Sequence, residues 1–186
     1  EASGRTGLRE LAHGLLALAS PPLRAQLEAL AADDWAGPGD LAEHVHRLAS
    51  ELVRVPALAG IELDLLRVMV YALRPDPQVA SVIYSYLRCD DLNRFDRRSI
   101  GDVIPRTGDD APHRMIGAIA RLAAATGRAL VVMVDQVELA GFDEESAISF
   151  LRAINALNAI VSEYPSAIAV VSCLSDLYDA LHARLT

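Results

Sequence analysis

Apolar residues recur at helical spacing through the first half of the chain, and proline and glycine cut the pattern into segments. Leu8, Leu11, Leu15 and Leu18 mark one helix, and Ser20-Pro21-Pro22 interrupts the period before Leu23, Leu27 and Leu30 resume it. Residues 35–40, with Gly37, Pro38 and Gly39, form a turn cluster whose Asp40 is placed to cap a third helix carrying Leu41, Val45, Leu48 and Leu52. Val53 and Val55 leave room for a short strand after it. Ile61, Leu65, Val68 and Ala72 form another amphipathic set, ended by Arg74-Pro75-Asp76-Pro77, and Val79, Ile83, Tyr86 and Leu87 belong to the next helix. From Cys89 to Asp109 the chain turns polar and irregular. Its aliphatic anchors after Leu92 are Ile100, Val103 and Ile104, so it reads as a loosely docked connector.

The pattern changes in the second half. Asp109-Asp110-Ala111-Pro112 reads as a helix start, with acids near the positive end of the dipole and proline in the first turn. Met115, Ile119, Leu122 and Ala123 face the core from that helix, and Gly127 ends it. Ala129 to Val134 is then apolar at every position and stops at Asp135, which suits a strand covered on both faces. After Gly141, Asp143-Glu144-Glu145-Ser146 opens a helix with Phe150, Ile154, Leu157 and Val161 on one face, stopped by Tyr164-Pro165. A second apolar run, Ala167 to Val171, ends at Ser172-Cys173-Leu174-Ser175 and gives way to a last helix through Leu177 and Leu181. Strand, helix and strand within about forty residues form a βαβ unit, whose crossover makes the strands parallel. The expected fold is α/β and helix-rich: a helical array and connector over residues 1–109, then a short parallel sheet over 110–186, packing as one structural unit.

Composition narrows the picture. The 186 residues are 52% hydrophobic and only 5% aromatic, enough for one core built from Ala, Leu, Val and Ile. The longest apolar run falls well short of the ~20 residues a membrane span needs. The chain starts Glu1-Ala2-Ser3-Gly4, without a basic or apolar leader, and reads as an excised piece rather than a signal-bearing precursor. Cys89 and Cys173 are too few for a disulfide scaffold and read as buried thiols in a reducing, cytoplasmic setting. A net charge of −8 argues against a general nucleic-acid surface. The one Arg-rich stretch, Arg88, Arg94, Arg97, Arg98 and Arg106, is interleaved with Asp90, Asp91, Asp96 and Asp102, and reads as a solvated, ion-paired face.

If the two strands are neighbours, Asp135, Gln136 and Glu138 lie beside Ser172 and Ser175, where parallel sheets hold ligands. The pattern resembles the core of AAA+ and related P-loop ATPases, in which a Walker B strand is followed by a helix and a strand ending in a polar sensor. The resemblance covers roughly residues 110–180. The helical stretch upstream is also similar to that in ATP-binding proteins of bacterial phage-defence systems. The resemblance implies that Asp135 is the magnesium-side carboxylate and that Ser172, or Ser175, is the sensor, with ATP and Mg2+ as the cofactors of a complete parent protein.

Two departures bear on activity. All seventeen basic residues are arginine, and no Gly-x-x-x-x-Gly-Lys-Ser/Thr loop occurs. Gln136 stands where a water-polarising glutamate is usual, and glutamine cannot accept the proton. Glu138 falls on the same face as Gln136 if the strand continues, and could replace that base. The chain is therefore expected to bind nucleotide weakly and not to hydrolyse it, and if it is a fragment the phosphate loop would lie upstream of Glu1. The rival reading is a non-catalytic helical interaction module, because an apolar run ending in one aspartate also closes many ordinary parallel strands. Either reading expects a protein partner or self-association, no membrane, and nucleic acid only through a parent assembly. An uncovered strand edge beside Ala167 to Val171 would itself invite pairing. His44 and His46, two apart on a helix, diverge rather than share a metal. No Gly-x-Ser-x-Gly elbow occurs.

Overall fold

The structure, a computed structural model, describes residues 2–33, 40–135 and 144–172, with side-chain surroundings from residues 7 and 152 onward in the first and last of these stretches. The chain divides into two compact units, Glu1–Arg128 and Ala129–Thr186.

The first unit is a helical array. Helices α1 (Ala2–Leu18), α2 (Pro21–Ala31) and α3 (Leu41–Leu52) follow the leucine spacing. Asp40 caps α3 as its position suggests, accepting the Ala42 N–H at 2.9 Å. No strand forms at Val53 and Val55. The chain makes a turn and a short 3-10 helix, Pro56–Leu58, that buries Leu58. Helix α4 (Leu63–Ala72) starts two residues after Ile61, which is buried ahead of it. Leu65, Leu66, Val68, Met69, Val70, Tyr71 and Ala72 are all buried, so α4 is apolar nearly all round and forms the central post of the array rather than an amphipathic edge. α1, α3 and α5 (Pro77–Leu87) pack against it. Asp76 caps α5, accepting from Gln78 N–H at 2.9 Å and Val79 N–H at 3.2 Å.

The connector is docked firmly, contrary to its loose, polar sequence. It contains a short helix, α6 (Arg94–Ser99), started by Asn93, whose side-chain oxygen accepts from Phe95 N–H and Asp96 N–H. Ile100 and Val103 are fully buried, whereas Ile104 is 66% exposed and anchors nothing. Charged side chains do the remaining anchoring. Arg67 on α4 donates to the Gly101 carbonyl, and Arg106 pairs with Glu62 at 2.5 Å. Gly101 is required here twice over. Its φ is +75°, and a Cβ would sit 2.9 Å from the Tyr71 hydroxyl.

Helix α7 (Ala111–Ala125) buries Met115, Ala118, Leu122 and Ala123 and half-buries Ile119 within the same unit. Asp110 does not cap it with its side chain but pairs with Arg114 one turn on, at 3.1 Å. Gly14 lets α1 approach the end of this helix, since a Cβ there would meet Thr126 at 2.6 Å.

The second unit contains strand β1 (Leu130–Val134), helix α8 (Glu144–Glu163) and strand β2 (Ala167–Val171). The strands are hydrogen-bonded neighbours, parallel, in register from Leu130 opposite Ala167 to Val134 opposite Val171. α8 packs on β2 and buries Leu157 and Ile160, while Val161, expected on the covered face, is 37% exposed. Ala167 is buried, and Leu130, Val132, Val134 and Ala169 are half-buried. Coverage of both sheet faces, expected from the unbroken apolar runs, is not found among the described residues. Val131 and Ile168, directly opposite one another, are each 50% exposed, and their neighbours Met133 and Val170 are 72% and 40% exposed. An all-apolar strand tolerates burial on both faces, but its sequence cannot supply the second covering layer.

Candidate site at the strand ends

In a parallel ladder that runs in register to Val134 and Val171, the next positions are Asp135 and Ser172. The ladder extends one bond further, because Ser172 N–H donates to the Val134 carbonyl at 2.9 Å. Asp135 and Ser172 therefore leave the sheet side by side at its carboxyl edge, about 5 Å apart along the hydrogen-bonding direction. Both are exposed. Gln136, Glu138, Ser175, Cys173 and the last helix through Leu177 and Leu181 lie outside the described residues, as do the residues of the expected cap ahead of Glu144.

A single carboxylate such as Asp135 could serve a magnesium ion whose remaining ligands are phosphate and water, and the Ser172 hydroxyl beside it could hydrogen-bond to a phosphate or a water. The phosphate side is different. A Gly-x-x-x-x-Gly-Lys-Ser/Thr loop is what such a site needs to cradle phosphate, and neither that loop nor any lysine occurs in this sequence. Among the described residues no group of three or more His, Cys, Asp or Glu could hold a metal ion by itself. The donor set fits half of the site.

Elsewhere the titratable groups behave as structural ones. His44 is buried and His46 exposed, on diverging sides of α3. His44 Nδ1 accepts from Arg47 at 2.6 Å, which requires the neutral ring. Burial and then the Arg47 charge lower its pKa from 6.5. Cys89 is half-buried rather than buried, and desolvation pushes its thiol up, away from the thiolate a reactive cysteine needs. A cavity of about 190 Å³ beside the α4–α5 turn is lined by Leu8, Arg9, Arg74, Asp76 and Tyr84 among others. Its charges are largely committed, Arg74 to Asp33 at 3.2 Å and Asp76 to its cap. Among the described residues no helix is long and apolar enough to cross a membrane.

The Arg-rich stretch is ion-paired only in part. Arg88 pairs with Asp90 at 2.6 Å and Arg106 with Glu62. Arg94, Arg97 and Arg98 make no side-chain hydrogen bond or ion pair among the described residues. The signal for this lay in the spacing. Asp96 is two residues from both Arg94 and Arg98, and residues two apart on a helix do not face each other.

No family model, curated protein or solved structure matches the chain.

Proposed function

We propose that residues 129–186 form the Walker B and sensor half of an AAA+-like nucleotide site, within a protein that couples ATP binding or hydrolysis to assembly or remodelling. One observation carries the reading: a parallel, in-register strand pair whose carboxyl ends bring Asp135 beside Ser172. On this reading Asp135 would hold the magnesium ion, Ser172 or Ser175 would contact phosphate, and Glu138, with Gln136, would orient a water. Bound ATP and Mg2+ would supply the phosphoryl group and its charge neutralisation. The phosphate loop comes from outside these 186 residues, so the chain alone has no turnover.

The test is a titration of the isotopically labelled chain with magnesium and then magnesium-ATP, followed by amide chemical shifts. Weak shifts centred on Asp135 and Ser172, with a dissociation constant of about 1 mM and lost in D135N, are expected. Unmoved strand-end amides at several times that concentration would sink the proposal, and micromolar binding elsewhere would mean that the site is wrongly assigned. A second reading, a helical interaction module with the βαβ unit as scaffold, is favoured by one observation: the unpaired, exposed surface of α6.

A further inference from the structure

α6 carries the most exposed large apolar side chain among the described residues, Phe95 at 82% exposure. A lone exposed apolar residue needs no explanation. Its setting does. At about 100° per residue, Arg94, Arg98 and Phe95 occupy one continuous arc of roughly 100°, with Arg97 on the flank and Asp96 on the far side. Burial agrees, since Arg94, Phe95 and Arg98 are exposed while Asp96 and Arg97 are half-buried. Asp96 accepts a hydrogen bond from the Asn93 side-chain amide at 2.6 Å and forms no ion pair with the arginines among the described residues.

The fold gains little from this arrangement: Arg97 and Arg98, in the last turn, favour the helix dipole, but Phe95 is left in water. Arginines four apart on a helix repel, and a solvated phenyl ring forgoes burial. Yet the surface is held firmly in place. Asn93 caps the helix, Ile100 and Val103 are buried immediately after it, and Arg67 binds the Gly101 carbonyl. Arginine and aromatic side chains on a preorganised backbone are the groups that dominate binding energy at protein interfaces.

We infer that Arg94, Phe95 and Arg98 form a docking surface for an acidic peptide segment of a partner protein, in which carboxylates flank an apolar or aromatic residue. The guanidinium pair recognises the carboxylates and the phenyl ring packs on the apolar group. Charge complementarity selects this occupant over a nucleic acid. From Arg94 to Arg98 the patch is about 6 Å long at 1.5 Å per helical residue. A longer polyanion leaving it would run toward exposed Asp91 on one side and exposed Asp102 on the other, on a chain of net charge −8. A short acidic segment ends before reaching either. The inference goes beyond the nucleotide site and stands whether or not that reading does.

The experiment uses the 186-residue chain and a short fluorescein-labelled peptide with one phenylalanine between two single glutamates, read by fluorescence anisotropy. The same peptide with glutamine for glutamate, and a labelled oligouridylate, serve as competing probes. Saturable binding of the glutamate peptide is expected, weakening as salt rises and falling about tenfold or more in F95A and in R94E/R98E. R94K/R98K should retain most of the affinity, which separates lost charge from lost fold. All three variants lie at exposed positions, and unchanged circular dichroism confirms folding. The inference is overturned by no saturable binding up to about 1 mM, by equal binding of F95A and R94E/R98E, or by equal binding of the glutamine peptide. Tighter binding of the oligouridylate overturns it in favour of a nucleic-acid surface.

Discussion

Replacing Gly101 by alanine isolates the contact that docks the connector onto α4. Two costs arise at this position. An L-residue at φ +75° pays for left-handed backbone, about 1 kcal/mol, partly offset by the reduced freedom of the unfolded chain. The added Cβ would also lie 2.9 Å from the Tyr71 hydroxyl, 3.1 Å from Arg67 Nη2 and 3.2 Å from Tyr71 Cε2. Tyr71 is only 2% exposed and cannot swing into solvent. The connector must move instead, and it then loses the Arg67 bond to its carbonyl, a charge-assisted hydrogen bond of about 1.5–3 kcal/mol. Gly60 supplies the control, since its φ is +82° and a Cβ there meets nothing within 4 Å.

G101A should therefore be less stable than G60A by about 2 kcal/mol, the backbone terms cancelling between them. Urea unfolding followed by far-ultraviolet circular dichroism reads this difference, because α1 to α7 all belong to the first unit and dominate the helical signal. Hydrogen exchange should rise in G101A at the amides of Ile100, Gly101 and Asp102, which bond back to Arg97 and Arg98. Equal stability of the two variants, within about 0.5 kcal/mol, would mean that the connector is not held at Gly101 and that α6 is not rigidly presented.

Truncating Leu66, fully buried on the central helix, should cost the first unit about 2–5 kcal/mol in L66A, measured by the same unfolding experiment. D76A removes a cap serving two N–H groups of α5 and should cost about 1 kcal/mol, while D76N should cost much less. His44 sets a pH dependence. Its folded pKa is lowered below 6.5, so folded and unfolded chains are both neutral there above pH 6.5 and stability is at its full value. As pH falls below 6.5 the unfolded chain takes up the proton first, and stability declines until the lowered folded pKa is passed. H44Q should flatten that part of the profile, and an unchanged slope would clear His44 of the effect. In the second unit, amides of Ile168 to Val171 should exchange at least about a hundredfold faster than those of Leu66 to Val70, since two strands with one open face open locally.

The long helices could be read from the sequence because each carries its own period and its own punctuation, and Asp40 caps as its position suggests. α6 could not be read that way. Six residues containing one phenylalanine have no period to detect, and the helix is held by an asparagine cap and by side chains far along the chain. Arg67 reaches Gly101 and Arg106 reaches Glu62 across dozens of residues, and local pattern carries no trace of such bonds. The central place of α4 was only partly legible, because Leu66, Met69 and Val70 complete a buried circumference around the stripe that periodicity picks out. At the candidate site, the adjacency of Asp135 and Ser172 followed from two apolar runs and a helix between them. The covering of the sheet did not, since apolar residues declare what a face tolerates and not what lies on it.

The two units differ in the way that this last point implies. In the first, apolar residues from α1 to α5, α7 and the connector close around α4, and the buried side chains form one continuous cluster. Its outward features, above all Arg94 and Phe95 of α6, therefore add little to its folding and are free to serve recognition. In the second, Val131, Met133, Ile168 and Val170 leave one face of a two-stranded sheet in water, an arrangement that parallel sheets rarely keep. A site at its strand ends gains rigidity only when further strands or helices cover that face. The proposed nucleotide site and the proposed peptide surface thus make opposite demands. The first should tighten when more protein is added to the sheet, whereas the second should bind its peptide equally well with the sheet bare, because everything that presents α6 lies within Glu1–Arg128.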